Sequence, residues 1–81
     1  MKRLRFHIVN LAKHGIAPFE AEEAIFDGYK KRRRSGGNYE ILGRTNDGRY
    51  LQLVYEEMET EFRIFHGRDM TQIEKKRYQK K

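Results

Sequence analysis

"YEILGRTNDGRYLQLVY", residues 39–55, is the stretch on which the fold of this chain turns. Two runs rich in Tyr, Ile, Leu and Val flank Asn46-Asp47-Gly48, where Asp47-Gly48 supplies the positive φ angles that a tight hairpin needs. Alternation assigns the faces of the second run: Leu51, Leu53 and Tyr55 share one side, and Tyr50, Gln52 and Val54 the other. After an acidic loop comes "EFRIFH", residues 61–66, which alternates again with Phe62, Ile64 and His66 opposing Arg63 and Phe65. The three runs form an antiparallel meander.

Working outward, "RLRFHI" at residues 3–8 reads as a brief strand running into a short helix. That helix stops at Gly15, with Lys13 and His14 in its last turn. "APFEAEEAIFD", residues 17–27, is a second short helix. Pro18 suits its first turn, Glu20, Glu22 and Glu23 lie near the positive end of its dipole, and Phe19 and Phe26 stand two turns apart. Residues 29–38, "YKKRRRSGGN", are basic and then glycine-rich, so they read as an exposed loop with no face to bury. On the far side of the meander, Thr71-Gln72-Ile73-Glu74 has the form of a capping box and starts a final helix. Met70, Ile73 and Tyr78 would lean on the sheet while Lys75 and Lys76 face water. The expected fold is α+β, with short N-terminal helices and a C-terminal helix packed on the meander.

Eighty-one residues with 37% hydrophobic content suit one domain over residues 1–81, because a core this small cannot divide. The chain has no cysteine, and its three histidines fit no metal motif, so neither disulfide, metal nor cofactor is expected. No apolar run reaches the roughly 18 residues of a membrane span, and the basic start lacks a continuous apolar core, so the expectation is a cytoplasmic protein with no membrane partner. A formal charge of +6 and a pI near 9.8 make a polyanion the first partner to consider. The cations gather in Lys30 to Arg34 and in Lys75, Lys76, Arg77, Lys80 and Lys81. Between them, Glu56, Glu57, Glu59 and Glu61 form an acidic patch suited to a basic protein partner.

Lys13-His14-Gly15, then Glu22, Glu23 and Phe26, then Gly43, and finally Arg68, Thr71, Glu74 and Tyr78 stand in an order and spacing that resembles the BrnT family of bacterial toxins over nearly the whole chain. Two positions depart from it. His66-Gly67 stands where the family has Ser-Ala, and Asn38 stands near where it has an arginine. The resemblance implies a compact RelE-like fold and a ribonuclease that arrests translation. It also implies RNA as substrate, a cognate antitoxin (BrnA-like) with a ribbon-helix-helix domain, and DNA contact only through that antitoxin.

Metal-independent RNA cleavage requires a proton acceptor for the 2′-hydroxyl, a cation for the phosphorane charge and a donor for the leaving 5′-oxygen. Arg68, with its bidentate fork, is the candidate for the phosphate, and His14 or His66 for moving the proton. Lys13, Arg32, Arg33, Arg34, Arg44, Arg49 and Arg63 are candidate substrate clamps. Structural alternatives stand beside these roles. Arg68 would equally serve as a bracket joining the last strand to the final helix. His14 would finish a helix by bonding a last-turn carbonyl, and His66 would sit at the core edge beside Phe62 and Ile64. Arg63 would pair with Glu61 or a cross-strand acid. Thr71 and Glu74 are assigned to capping. The rival function is a non-catalytic module that binds nucleic acid or an antitoxin.

Overall fold

The structure, a computed structural model, describes residues 3–27, 32–33 and 36–79. Its strands are β1 Arg3–Phe6, β2 Arg32–Arg33, β3 Tyr39–Arg44, β4 Tyr50–Glu57 and β5 Glu61–Asp69, in the sheet order β1-β5-β4-β3-β2. The helices are α1 Ile8–Ala12, α2 Pro18–Asp27 and α3 Gln72–Gln79. This is the expected α+β arrangement, with β3, β4 and β5 as the meander. Two strands were placed differently or missed. β1 runs parallel to β5, from Arg3↔Glu61 to Phe6↔Ile64, so the sheet is mixed. Arg32 and Arg33, expected in a loop, pair antiparallel with Glu40 and Tyr39. An edge strand needs only backbone partners, so exposed Arg32 does not prevent pairing. The rest of the basic block, Lys30, Lys31 and Arg34, lies outside the described residues.

The β3–β4 hairpin turns where the Asp-Gly step indicated, but only Gly48 is left-handed, at φ +87, and Asp47 is not. Thr45 does the remaining work: its N–H donates to the Arg49 carbonyl at 2.8 Å, and its hydroxyl accepts from the Arg49 N–H at 3.0 Å. The acidic stretch is shorter as a loop than expected, since Glu56 and Glu57 end β4 and Glu61 begins β5.

One face of the sheet carries the apolar core. Leu51, Leu53, Tyr55, Ile41 and Ile64 pack there with Leu11 and Ile16 from the α1 region and Ala21 and Ala24 from α2. Gly43 decides how α2 sits. A Cβ at that position would stand 2.0 Å from the Ala24 carbonyl oxygen, so α2 rests backbone-on-backbone against β3. Only small side chains fit that contact. Ala21 and Ala24 therefore face inward, while Phe19 and Phe26, whose two-turn spacing suggested an apolar stripe, are 60% and 77% exposed.

The opposite face holds α3. Leu42, Met70 and Tyr78 form a second, smaller cluster with Tyr50 against it. The capping box is formed as expected: Glu74 N–H donates to Thr71 Oγ1 at 3.2 Å, and Thr71 N–H donates to Glu74 Oε1 at 2.9 Å. Ile73, expected on the sheet, is instead 77% exposed, because Glu74 and Tyr78, one turn apart, are the residues α3 buries.

Candidate functional site

Strand register sorts the charged residues. Leu4 and Phe6 pack on the core, so Arg3 and Arg5 point to the other face of β1, beside Arg63 of β5. A register shift between Val54 and Tyr55 leaves Phe65 as the extra residue of β5, pairing Tyr55 with Ile64 but Val54 with His66. His66 therefore leaves the Phe62 and Ile64 face, contrary to simple alternation, and shares the α3 face with Arg68, which pairs with Gln52. Consecutive same-face positions lie about 6–7 Å apart along a strand. Arg44 joins this face through its pairing with Tyr50 and stacks over that ring at 5.5 Å; Lys75 approaches the same ring at 5.5 Å. Arg32 joins it opposite Glu40. Five of the candidate clamps and catalytic residues, Arg32, Arg44, Arg63, His66 and Arg68, thus come to one side of the sheet although they are scattered in sequence.

Several cations of this face are partnered. Arg63 pairs with Glu56 at 3.2 Å, a cross-strand acid as the alternative to Glu61 allowed, and Arg5 with Glu61 at 3.5 Å. Arg68 Nη1 and Nη2 donate to the two oxygens of Glu74 at 2.7 and 2.8 Å, and Nη1 also donates to the Asp69 carbonyl at 3.1 Å. Glu74 thereby serves the arginine and the helix cap together. The Arg68 fork holds its carboxyl below the usual range against the opposing effect of burial, and Arg68 is raised in return. The bracket between last strand and final helix is therefore present, with the Nε edge of Arg68 and one Nη2 hydrogen outside these bonds. Arg77 bonds Glu40, which also accepts from Gln52 Nε2 at 3.0 Å. Tyr78 donates to Asp27 at 2.6 Å, and burial first, then that bond, pushes its hydroxyl up to about 12.

His14 and His66 meet. Beyond Ile64 the partner strand β1 has ended, so β5 is an edge there, and Asn10 of α1 donates to the Phe65 carbonyl at 3.2 Å. This brings the His14 ring edge-on to His66 with centroids 5.1 Å apart. Lys13 beside it is exposed. Arg49, read as a clamp, is occupied by protein. Its Nε donates to Asp69 at 2.9 Å and its Nη1 to the Gly15 carbonyl at 2.8 Å and Glu20 at 3.2 Å. The Asp69 bond above all raises it beyond its usual value. Arg33 is described only through its backbone, and Arg34 lies outside the described residues.

Sequence reading missed Arg3, Arg5 and the Arg77–Glu40–Gln52 chain. The alternation in "RLRF" would have found the first two; nothing local signals the third. Among the described residues, no three His, Asp or Glu side chains converge to hold a metal ion. The groove of about 530 Å³ lined by Arg5, Phe6, Ile8, Val9, Met58 and Arg63 does not contain the histidine pair. The candidate site lies on the α3 face of the sheet and at the edge of β5, where Arg63, His66 and Arg68 remain partly exposed.

A small α+β protein with this helix order about a mixed sheet is a known fold. The chain is similar to the 1.1 Å crystal structure of the Brucella abortus ribonuclease toxin BrnT, with a TM-score of 0.70 and 15% sequence identity over 89% of this chain and 100% of that one. No family model and no curated protein matches the sequence. Among the described residues, no helix is long and apolar enough to cross a membrane.

Proposed function

We propose that the chain is a type II toxin, an endoribonuclease that cleaves RNA without a metal and arrests translation until an antitoxin with a ribbon-helix-helix domain neutralises it. The observation that carries this reading is the meeting of His14 and His66, 52 positions apart in sequence, with rings 5.1 Å apart in a fold similar to that of a ribonuclease toxin. One imidazole takes the 2′-hydroxyl proton as the oxygen attacks the adjacent phosphorus, and the other delivers a proton to the departing 5′-oxygen. The products are a 2′,3′-cyclic phosphate and a 5′-hydroxyl. Arg68, one same-face position beyond His66, stabilises the phosphorane charge through the hydrogens its Glu74 bracket leaves outside. Lys13, Arg44, Arg63 and Arg32 to Arg34 hold the flanking phosphates, and DNA is reached only through the antitoxin.

One observation favours a second reading. With both Nη atoms of Arg68 on Glu74, the same face would serve a non-catalytic module that binds nucleic acid or an antitoxin. Purified chain incubated with labelled single-stranded RNA in EDTA separates the two. Cyclic-phosphate products from the native chain, lost in His14→Ala, His66→Ala and Arg68→Ala, establish the enzyme. Binding without products, weakened by Arg68→Ala in step with a salt slope lower by about one ion, establishes the module.

A further inference from the structure

The connection between α1 and α2 is held from outside by one side chain. Arg49 Nη2 donates to the His14 carbonyl at 3.3 Å and Nη1 to the Gly15 carbonyl at 2.8 Å. Nη1 also reaches Glu20 in the first turn of α2, while Nε holds Asp69 at the end of β5. Within the connection, His14 N–H donates to Leu11 O at 3.0 Å, and Gly15, left-handed at φ +69, delivers the chain to buried Ile16. The peptide planes on both sides of His14 are therefore fixed. That sets the direction of its Cα–Cβ bond, and the ring it carries meets His66 edge-on. Asp69 lies three positions beyond His66 on the same strand, so one guanidinium ties the turn bearing one histidine to the strand bearing the other.

We propose that Arg49 is a positioning residue, which sets the separation of His14 and His66 through the backbone of the His14–Gly15 turn and through Asp69. The inference rests on the reading of the two histidines as proton carriers. The rival role for Arg49, a phosphate clamp, fits its surroundings poorly. Two carboxylates flank the single guanidinium, so an incoming phosphate meets a locally negative site and must displace bonds as strong as those it would form. Lysine cannot replace this arrangement, because one ammonium lacks the planar fork that serves acceptors on separate segments.

The test pairs a structural with a kinetic readout on Arg49→Lys and Arg49→Gln, with Lys76→Ala as a surface-cation control and circular dichroism to establish folding. The nuclear Overhauser effect between the His14 and His66 ring protons is expected in the native chain and the control, and is lost in both Arg49 variants. Displacements of order 1 Å cost up to about a hundredfold in rate, so kcat on RNA is expected to fall at least about tenfold while KM changes less than about threefold. An undiminished ring-to-ring signal in a folded Arg49 variant overturns the proposal. So does a raised KM with unchanged kcat, which would return Arg49 to substrate binding. Should both Arg49 variants fail to fold, Asp69→Asn weakens one arm at a side chain 66% exposed, and an undiminished ring signal there overturns the proposal equally. If the native chain cleaves no RNA, the ribonuclease reading fails on its own, and the ring signal still decides what Arg49 positions.

Discussion

The two faces of the sheet are built by different chemistry. The α1–α2 face is closed by apolar contact: Leu11, Ala21, Ala24, Leu51 and Leu53 are wholly buried, and a glycine lets a helix backbone touch a strand. The α3 face is closed by paired polar groups, Arg68 with Glu74, Arg77 with Glu40 and Tyr78 with Asp27, around a small cluster of Leu42, Met70 and Tyr78. Apolar burial stabilises roughly in proportion to area and is insensitive to pH, whereas paired charges contribute little beyond their desolvation and respond to acid, base and salt. The first face therefore sets stability, and the second sets how α3 and the cations are held.

Gly43→Ala breaks this contrast most severely. The new methyl meets backbone that cannot move aside, so α2 must lift off β3, at an expected cost of at least about 3 kcal/mol in urea denaturation. On the other face, Arg68→Ala leaves the carboxylate of Glu74, 10% exposed, without its main partner, for an expected loss of about 1–2 kcal/mol. The pH dependence sharpens this. Because the folded carboxyl of Glu74 is depressed, its contribution is present above its unfolded value, near 4.5, and lost as pH falls through the folded one. Glu74→Gln should remove that component from the acid limb of a stability–pH curve.

Tyr78 gives the alkaline counterpart. Its hydroxyl, raised to about 12 in the fold, contributes stability that is complete below its unfolded value near 10 and lost as pH rises from there through about 12. Tyr78→Phe should abolish that alkaline loss and cost about 1 kcal/mol at neutral pH, read by denaturation with phenolate absorbance as the titration probe. The smallest effect is expected from Arg63→Ala, below about 0.5 kcal/mol, because both members of its pair with Glu56 are substantially exposed. A larger loss there would show that the polar face carries more of the stability than the contrast allows.

What was legible in the sequence had a short range. The capping box spans Thr71 to Glu74, and the turn at Gly48 rests on a single left-handed glycine. The first helix was expected to run to Gly15 with Lys13 and His14 in its last turn; α1 ends at Ala12, and left-handed Gly15 lies in the turn that follows. Alternation grouped Leu51, Leu53 and Tyr55 on one face of β4 correctly, but that this face carries the main core was left open by the period and decided by packing. Alternation failed at His66 because the register shift beside it inserts a residue, and no residue type nearby announces a bulge. It failed for Phe19 and Phe26 because the side of α2 that turns inward is chosen by the space above Gly43, a property of another strand.

The same division runs through the candidate site. A bracket from Arg68 to the final helix was among the readings its place at the junction allowed, and its partner, six residues on, is Glu74, read from sequence only as a cap. Arg49 binds acceptors 20 to 35 positions away, and His14 meets His66 only where β1 ends and exposes the edge of β5. By itself the sequence determined the meander, the capping box of the last helix and which residues of a strand share a face, because these follow from backbone geometry and periodicity within a few residues. Only the tertiary structure decided which cations are engaged and which histidines meet, because those depend on strand order and register, where a shift of one residue sends a side chain to the opposite face.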